Sequence, residues 1–222
     1  MSSSTTASDA WRIEVFKRAA IHDPEGEKAL QEVHELGLYA VSSIRVGHGY
    51  LFSPELDESE ARNIAQELLT DPVLEEVQIF APGITPPEAP TGSRRVLVAP
   101  KPGVMDPIAD SVTRIVRRTG HGDESFEAQT FRIFEMHGDV PTDELESVCR
   151  RTLANVTIDT LRIDREDLPF GAPKGHGGTR GRVEVAMLAL DDDGLTNLSV
   201  QGELSLTLME MLEIQKFYKN LG

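Results

Sequence analysis

The amino-acid sequence predicts an α+β fold made of two tandem copies of one small unit, followed by a C-terminal helix. Alternating runs of β-branched and aromatic residues are interleaved with amphipathic helical patterns. The pair Asp23 and Pro24 recurs as Asp106 and Pro107, 83 positions later (106 minus 23), before a helical pattern each time. The segment "LLTDPVLEEVQI" aligns with "TLANVTIDTLRI" after 84 positions (163 minus 79). Because these elements keep their order and spacing, they indicate an internal repeat.

The first copy is predicted over residues 11–80 and begins with a strand, "WRIEVF". The next segment, "HDPEGEKALQEVHELG", predicts a helix with an apolar face. Asp23 is its expected N-cap, and Pro24 suits the first helical position, where its missing N–H costs nothing. Gly37 is the expected C-terminal stop.

The remainder of the first copy predicts two further strand regions and a second helix. "VSSIRVGHGYLF" predicts a strand that opens into a hairpin around Gly47 and Gly49. "LDESEARNIAQELL" predicts a helix in which Asp57 and Glu60 have the spacing of a capping box, and "VLEEVQIF" predicts the closing strand. The resulting order, β-α-β-β-α-β, is typical of ferredoxin-like domains.

Residues 81–93, "APGITPPEAPTGS", are rich in proline and glycine and predict a linker to the second copy. The second copy is predicted over residues 94–164, with "RVLVAP" and "QTFRIFEMHG" as strands and "PTDELESVCRRTL" as its second helix. A ferredoxin-like unit leaves one sheet face without helices. Two copies in one chain are therefore expected to form a pseudo-dimer that buries these faces or pairs edge strands.

The two ends of the chain differ in composition from the repeats. Residues 1–10 are rich in serine and threonine and predict a disordered tail, whereas residues 165–202 predict a glycine-rich connection and a strand, "VEVAMLAL". Residues 203–222 predict a helix with a mostly apolar surface. Its interface candidates are Met209, Leu212, Phe217 and Tyr218.

Composition restricts the classes of partner. The formal net charge is -15, which disfavours nucleic acids and anionic membranes as partners. A single cysteine excludes an intrachain disulfide and fits a reducing, cytoplasmic compartment. No run approaches the roughly 18 apolar residues of a membrane-spanning helix.

The reactive residue types show no catalytic or metal-binding spacing. Cys149 lies within a helical pattern, which favours a buried structural thiol over a nucleophile. His48 and His137 are expected near strand ends as surface residues, and no histidine pair has HExxH spacing. "LALDDDG" lacks the twelve-residue calcium-loop pattern, so a solvated turn is expected there.

Two glycine-containing loops are candidates for phosphate sites. "FGAPKGHGGTRG", with Lys174 and Arg180, does not match a P-loop, and a plain connection is favoured. "KPGVMDP" has the counterpart "RAAIHDP", which keeps only the Asp-Pro pair of helix-start chemistry. We therefore predict no catalytic, cofactor-binding or metal-binding residue in the chain, and structural roles for both Asp-Pro pairs.

Two stretches resemble parts of phosphoribosylformylglycinamidine synthase, an enzyme of purine biosynthesis. Residues 11–80 resemble its small PurS-type subunit through "DPEGEKALQEVHELG", "SSIRVGHGY" and "LLTDPVLEEVQI". Residues 95–222 resemble the N-terminal part of its large synthetase subunit through "VLVAPKPGVMDPIADSV", "TFRIFEMHG", "TLANVTID" and "GELSLTLMEMLEIQKFYKNLG". The last stretch is similar to the first helix of the linker domain that precedes the catalytic core.

The resemblance implies a reaction in which formylglycinamide ribonucleotide, ATP and glutamine yield the amidine. It implies a non-catalytic role for this chain, bridging a glutaminase to the synthetase core. It assigns ATP and magnesium to the complete enzyme, because the chain ends before the family's catalytic part. Further self-association is left open. The alternative hypothesis is a regulatory module that binds small molecules, such as purines or amino acids, between two ferredoxin-like units.

Overall fold

The computed structural model of the protein describes residues 9–87, 89–168, 170–171, 187–201, 204 and 206–221. The chain divides into two compact units, Met1–His176 and Gly177–Gly222, and each is described by itself. The predicted tail (residues 1–8 of it), most of the glycine-rich connection with Lys174 and Arg180, and the start of the predicted strand "VEVAMLAL" lie outside the described residues.

Within its described part, the first unit contains two successive sets of strands and helices. The first copy supplies β1 (Trp11–Lys17), α1 (Pro24–Glu35), β2 (Ser43–Phe52), α2 (Glu58–Asn63), which continues as a π-helical turn (Ile64–Leu68), and β3 (Glu75–Phe80). The second copy supplies β4 (Ser93–Pro100), α3 (Pro107–Thr119), β5 (Ala128–His137), α4 (Thr142–Thr152) and β6 (Asp159–Ile163).

These six strands form one antiparallel sheet in the order β3-β1-β2-β5-β4-β6. The two copies meet where β2 pairs with β5 along its whole length. His48 lies directly opposite Arg132, 84 positions later (132 minus 48), so a local two-fold axis passes between them. The predicted fold class, a tandem ferredoxin-like pseudo-dimer with helical structure at the C-terminus, is confirmed, although each copy has three strands in the order β-α-β-α-β where β-α-β-β-α-β was predicted.

The helices cover one face of the sheet, and their cores are shared between the copies. In one cluster, Ala29 and Val33 of α1 pack with Val148 of α4 and with strand residues of both copies. In the other, Val112 and Val116 of α3 pack with residues of β1 and α2. Each copy therefore completes the hydrophobic core of the other, and neither copy has a core of its own.

The turn between the second helix and the last strand keeps the same hydrogen bonds in both copies. The backbone N–H of Asp71 donates to Glu75 at 2.9 Å, and that of Asn155 donates to Asp159 at 2.8 Å. These residues lie 84 positions apart, at the offset of the aligned segments. The repeat thus extends to the hydrogen bonds of this turn, although different residue types make them in the two copies.

The predicted hairpin around Gly47 and Gly49 is wrong, because β2 is one uninterrupted strand. The glycines serve packing instead. Gly47 pairs with Phe16 and Gly49 with Phe131, and each ring covers its partner glycine. A Cβ atom would lie 2.4 Å from the Phe16 ring at Gly47 and 2.1 Å from the Phe131 ring at Gly49. His48 accordingly lies in the middle of β2, not near a strand end.

In its described part, the second unit is helical, with a short 3-10 helix (Met187–Ala189), α5 (Asp192–Gln201) and α6 (Leu208–Leu221). The predicted strand is therefore wrong at residues 187–189, and the predicted solvated turn "DDDG" opens α5. Asp191 accepts from the backbone N–H of Gly194 at 2.9 Å, as an N-cap does. Thr207 and Glu210 form a reciprocal capping pair that starts α6.

Candidate functional site

The Asp-Pro pairs join helices to strands as well as starting helices. Asp23 accepts through Oδ1 from the backbone N–H of Gly26, and through Oδ2 from the backbone N–H of Val46 on β2, both at 2.9 Å. The last residue pair between β1 and β2 is Phe16 with Gly47, and Val46 lies one position beyond it. The Asp23 carboxylate therefore accepts a hydrogen bond from a backbone N–H that has no partner on β1.

The second copy repeats this arrangement. Asp106 accepts from Ala109 in α3 and from the backbone N–H of Thr130 on β5, both at 2.9 Å. Pro24 and Pro107 are the first residues of α1 and α3. Each aspartate therefore fixes the start of a helix against the strand of its own copy that lies at the centre of the six-stranded sheet.

The segment "KPGVMDP" shares a second feature with "RAAIHDP". Lys101 donates its ammonium to the carbonyls of Val156 and Thr157, at 2.6 and 3.1 Å. Its counterpart Arg18, 83 positions earlier (101 minus 18), donates to the carbonyl of Pro72 at 3.0 Å. The expectation that only the Asp-Pro pair is shared is thus wrong, because a basic residue also ties the turn to the loop before the last strand.

The turn also borders a cleft of about 310 Å³. One wall is formed by residues 99–106 and the start of α3, and the opposite wall by residues 128–131, with Leu51 and Leu168 completing the lining. The Lys101 ammonium is held by carbonyl oxygens, and the Asp106 carboxylate is held by N–H and hydroxyl donors. The cleft therefore has a concave shape, but these two charges are already engaged.

A buried ionic cluster lies on the sheet face opposite the helices. It consists of Arg12, Glu14, Arg95 and Glu166, and Arg12, Glu14 and Arg95 are 2%, 0% and 6% exposed. Glu14 Oε1 accepts from both arginines at 2.7 Å. Glu166 binds Arg12 at 2.5 Å and Arg95 at 2.9 Å. Arg12 and Arg95 occupy the same position in the two copies, 83 residues apart (95 minus 12).

The ionic cluster connects three separate parts of the chain. Burial lowers the pKa of Arg95, but the carboxylates of Glu14 and Glu166 outweigh this and raise the pKa above its ordinary value, so the guanidinium stays charged. The segment that carries Glu166 continues to Leu168 and Phe170, which pack against this sheet face. Removing one partner from such a cluster costs about 3–5 kcal/mol. Its role is to fix the two copies and this segment in one arrangement.

Cys149 lies in α4 and is fully buried. Burial raises the pKa of its thiol to about 12. The thiolate is the reactive form of cysteine, so this group is chemically inert in the folded protein, as the sequence predicts for a structural thiol.

Within the described residues, no group of three or more histidine, cysteine, aspartate and glutamate side chains is placed to hold a metal ion. Nor does any helix among these residues have the length and apolarity needed to cross a lipid bilayer.

The predicted interface residues of the terminal helix differ in exposure. Met209, Phe217 and Tyr218 are exposed, and Leu212 is half-buried. The Phe217 and Tyr218 rings meet edge to face, with centroids 5.4 Å apart. Within the second unit, the helix instead buries Met211 and Gln215, and the Gln215 amide donates to the carbonyls of Met187 and Leu190.

The sequence did not reveal the ionic cluster, although one signal was available. "WRIEVF" and "RRVLVAP" both place an arginine at a position that alternates with buried apolar residues. The repeat offset links Arg12 to Arg95, and a charged residue at an inward-facing position of both copies indicates a buried pair. The partner Glu166 lies in a segment without regular structure, and no sequence pattern marks it.

Comparison with known proteins gives one family. The family model described as PurS, phosphoribosylformylglycinamidine (FGAM) synthase, matches residues 10–81 and again residues 93–167. The two matches coincide with the two copies in the sheet. Comparison with curated proteins gives no match.

Proposed function

Because the chain belongs to the PurS family of phosphoribosylformylglycinamidine synthase, which acts in purine biosynthesis, we propose that it is a non-catalytic assembly region of that enzyme. In this proposal, the tandem unit docks the glutaminase to the ATP-dependent synthetase that converts formylglycinamide ribonucleotide, glutamine and ATP to the amidine. ATP and magnesium bind the synthetase core and not this chain.

The family match over both copies carries the proposal. The structure joins these copies into one sheet with shared cores, so they form a single body. This body holds the surfaces of its two copies at a fixed separation, so it is suited to holding two other proteins.

We further propose that residues 95–222 correspond to the N-terminal part of the large synthetase subunit, and that α6 packs on the synthetase core. The exposed Met209, Phe217 and Tyr218 support this part, because aromatic and methionine side chains are enriched in protein interfaces.

The double substitution Phe217→Ser/Tyr218→Ser is expected to weaken binding to the synthetase about tenfold or more. The matched change Glu213→Ser/Lys216→Ser, at polar positions of the same helix, is expected to leave binding within about twofold.

The assembly role is tested by reconstitution. The chain is mixed with glutaminase and synthetase subunits that lack their own PurS partner, and amidine formation is measured with glutamine or with ammonium as nitrogen donor. We expect the chain to restore the glutamine-dependent reaction and to leave the ammonium-dependent reaction unchanged. If the chain binds neither subunit and restores no glutamine-dependent activity, the proposal is wrong.

The cleft beside "KPGVMDP" favours a second candidate function, a small-molecule regulatory module. Its volume of about 310 Å³ lies at the lower end of the range of ligand sites. A ligand that binds the folded state raises the unfolding temperature. Thermal unfolding with purine nucleotides and amino acids tests this function, and the absence of a shift with every compound would exclude these ligand classes.

A further inference from the structure

Among the described residues, α3 is the one helix over the sheet that exposes large apolar side chains. Ile108 is 58% exposed and Ile115 is 39% exposed. They are seven positions apart, so they lie on the same side of the helix. Met105, just before the N-cap of α3, is 79% exposed and borders the cleft. Together the three residues form an apolar stripe along α3.

The fold does not require this stripe, because the equivalent helix of the first copy lacks it. At the same offset of 83 positions, His22 replaces Met105, Glu25 replaces Ile108 and Glu32 replaces Ile115. The buried positions keep their apolar character in both helices, since Val33 corresponds to Val116. The two copies therefore agree in the core and differ at the surface.

The charges beside the stripe also differ between the copies. Arg114 and Arg118 are exposed one turn apart on α3, where α1 has Gln31 and Glu35. In the part of the chain that the structure describes, neither arginine forms a side-chain hydrogen bond or an ion pair. These two guanidinium groups place positive charge beside the apolar stripe on a chain with a formal net charge of -15. A partner with carboxylates around an apolar centre would complement this surface.

We propose that the α3 surface, formed by Met105, Ile108, Arg114, Ile115 and Arg118, is the docking site for the glutaminase. The glutaminase presents apolar side chains to the stripe and carboxylates to the arginines. This inference rests on the assembly role proposed above, and it assigns the contact to the second copy. The equivalent α1 surface does not bind the glutaminase, because the apolar side chains of the partner would desolvate Glu25 and Glu32.

A second molecule of the chain is the other occupant that the charges allow, through its acidic α1 surface. Two observations disfavour it. Each chain carries a formal net charge of -15, so long-range repulsion opposes the encounter. The α1 surface also has glutamates where an apolar match to Ile108 and Ile115 is required. A nucleic acid is disfavoured by the same net charge.

The experiment measures the affinity of the full chain for the purified glutaminase by titration calorimetry at two salt concentrations. We expect Arg114→Glu/Arg118→Glu to raise the Kd about tenfold or more and to remove most of its salt dependence. Ile108→Ser/Ile115→Ser is expected to raise the Kd about tenfold, with the salt dependence retained. The matched α1 variant, Gln31→Lys/Glu35→Lys, is expected to stay within about twofold. All substituted side chains are exposed or at the surface, so thermal unfolding of the variants should change little.

The outcomes separate this inference from the assembly role. If the unsubstituted chain restores glutamine-dependent activity and both α3 variants bind the glutaminase as tightly as it does, the docking site is wrong and the assembly role stands. If the unsubstituted chain binds no glutaminase and restores no activity, both fail. If sedimentation of the chain alone shows a dimer that the α3 and α1 variants both dissociate, the surface is a contact between two molecules of the chain and the inference is overturned.

Discussion

At the scale of single residues, Asp23 and Asp106 show how one carboxylate fixes two elements. Each oxygen of Asp23 has its own N–H partner, one in α1 and one on β2. The sequence reveals the N-cap, because Asp-Pro before a helical pattern is a local signal. The sequence does not reveal the hydrogen bond from the Val46 N–H, because Val46 is 23 positions away from Asp23. That N–H is available to Asp23 only because the pairing of β1 with β2 ends at Gly47.

The substitution Asp23→Asn separates these two roles. Asparagine has one acceptor oxygen, and its NH₂ group would face the second N–H, so one buried donor loses its partner. We expect the free energy of unfolding in urea to fall by about 1–3 kcal/mol. Asp57→Asn is the control, since Asp57 caps α2 through Oδ1 alone, and a loss below about 0.5 kcal/mol is expected. Equal losses in the two variants would contradict the strand contact.

Cys149 gives a pH dependence of stability. Its folded pKa of about 12 lies above the ordinary value of 9.0. Between these values the unfolded chain loses the thiol proton and the folded chain keeps it, so stability falls as pH rises above about 9, by at most about 1.4 kcal/mol per pH unit from this group. Urea unfolding between about pH 8 and 10.5 should show a smaller decrease in Cys149→Ala than in the unsubstituted chain. Identical slopes would show that the thiol does not contribute.

At the scale of elements, the local patterns predicted most helices and strands, and tertiary packing explains the exceptions. Gly47 and Gly49 suggest a turn, but both have neighbouring aromatic rings that occupy the space of a side chain. The rings belong to β1 and β5, so the reason for the glycines lies outside the strand that carries them. The sequence does not predict helix α5, because its serine, threonine, asparagine and glycine residues are weak helix formers.

Gly49→Ala tests the packing of β2 directly. The new Cβ would lie 2.1 Å from the Phe131 ring, so the ring or the strand must move. We expect a loss of about 1–3 kcal/mol in the free energy of unfolding, as for an overpacked core. A double-mutant cycle with Phe131→Leu should show that the two effects are not additive, because the smaller side chain leaves room for the methyl group. Additive losses would mean that the ring does not restrict this position.

At the scale of the whole molecule, the internal repeat could be predicted from the sequence. The packing of helices from both copies into each hydrophobic core could not be predicted. The offsets of 83 and 84 residues establish two copies, but they do not say which helix covers which strands. The same division holds for the candidate sites, of which one could be predicted from the sequence and one could not. The exposed residues of α6 follow from helical periodicity, whereas the ionic cluster requires Arg12, Arg95 and Glu166 to meet across long separations in the chain.

The shared cores predict that the two copies remain together when the linker is cut. A specific protease site inserted after the exposed Pro87 would sever residues 81–93 without touching the sheet. Because β2 pairs with β5 and each helical core contains both copies, we expect the two fragments to elute together on size exclusion and to retain the circular dichroism of the intact chain. Separate elution of two folded fragments would contradict the shared cores.

Covalent joining of the copies has a consequence for stoichiometry. A homodimer of one such unit would have to display every surface twice, and any partner that bound one side would also bind the other. Here α1 exposes Glu25 and Glu32 where α3 exposes Ile108 and Ile115, although the two helices are built on the same frame. The chain can therefore keep the rigidity of a symmetric dimer while offering each surface once. A partner specific for one of these surfaces would bind with a stoichiometry of one per chain.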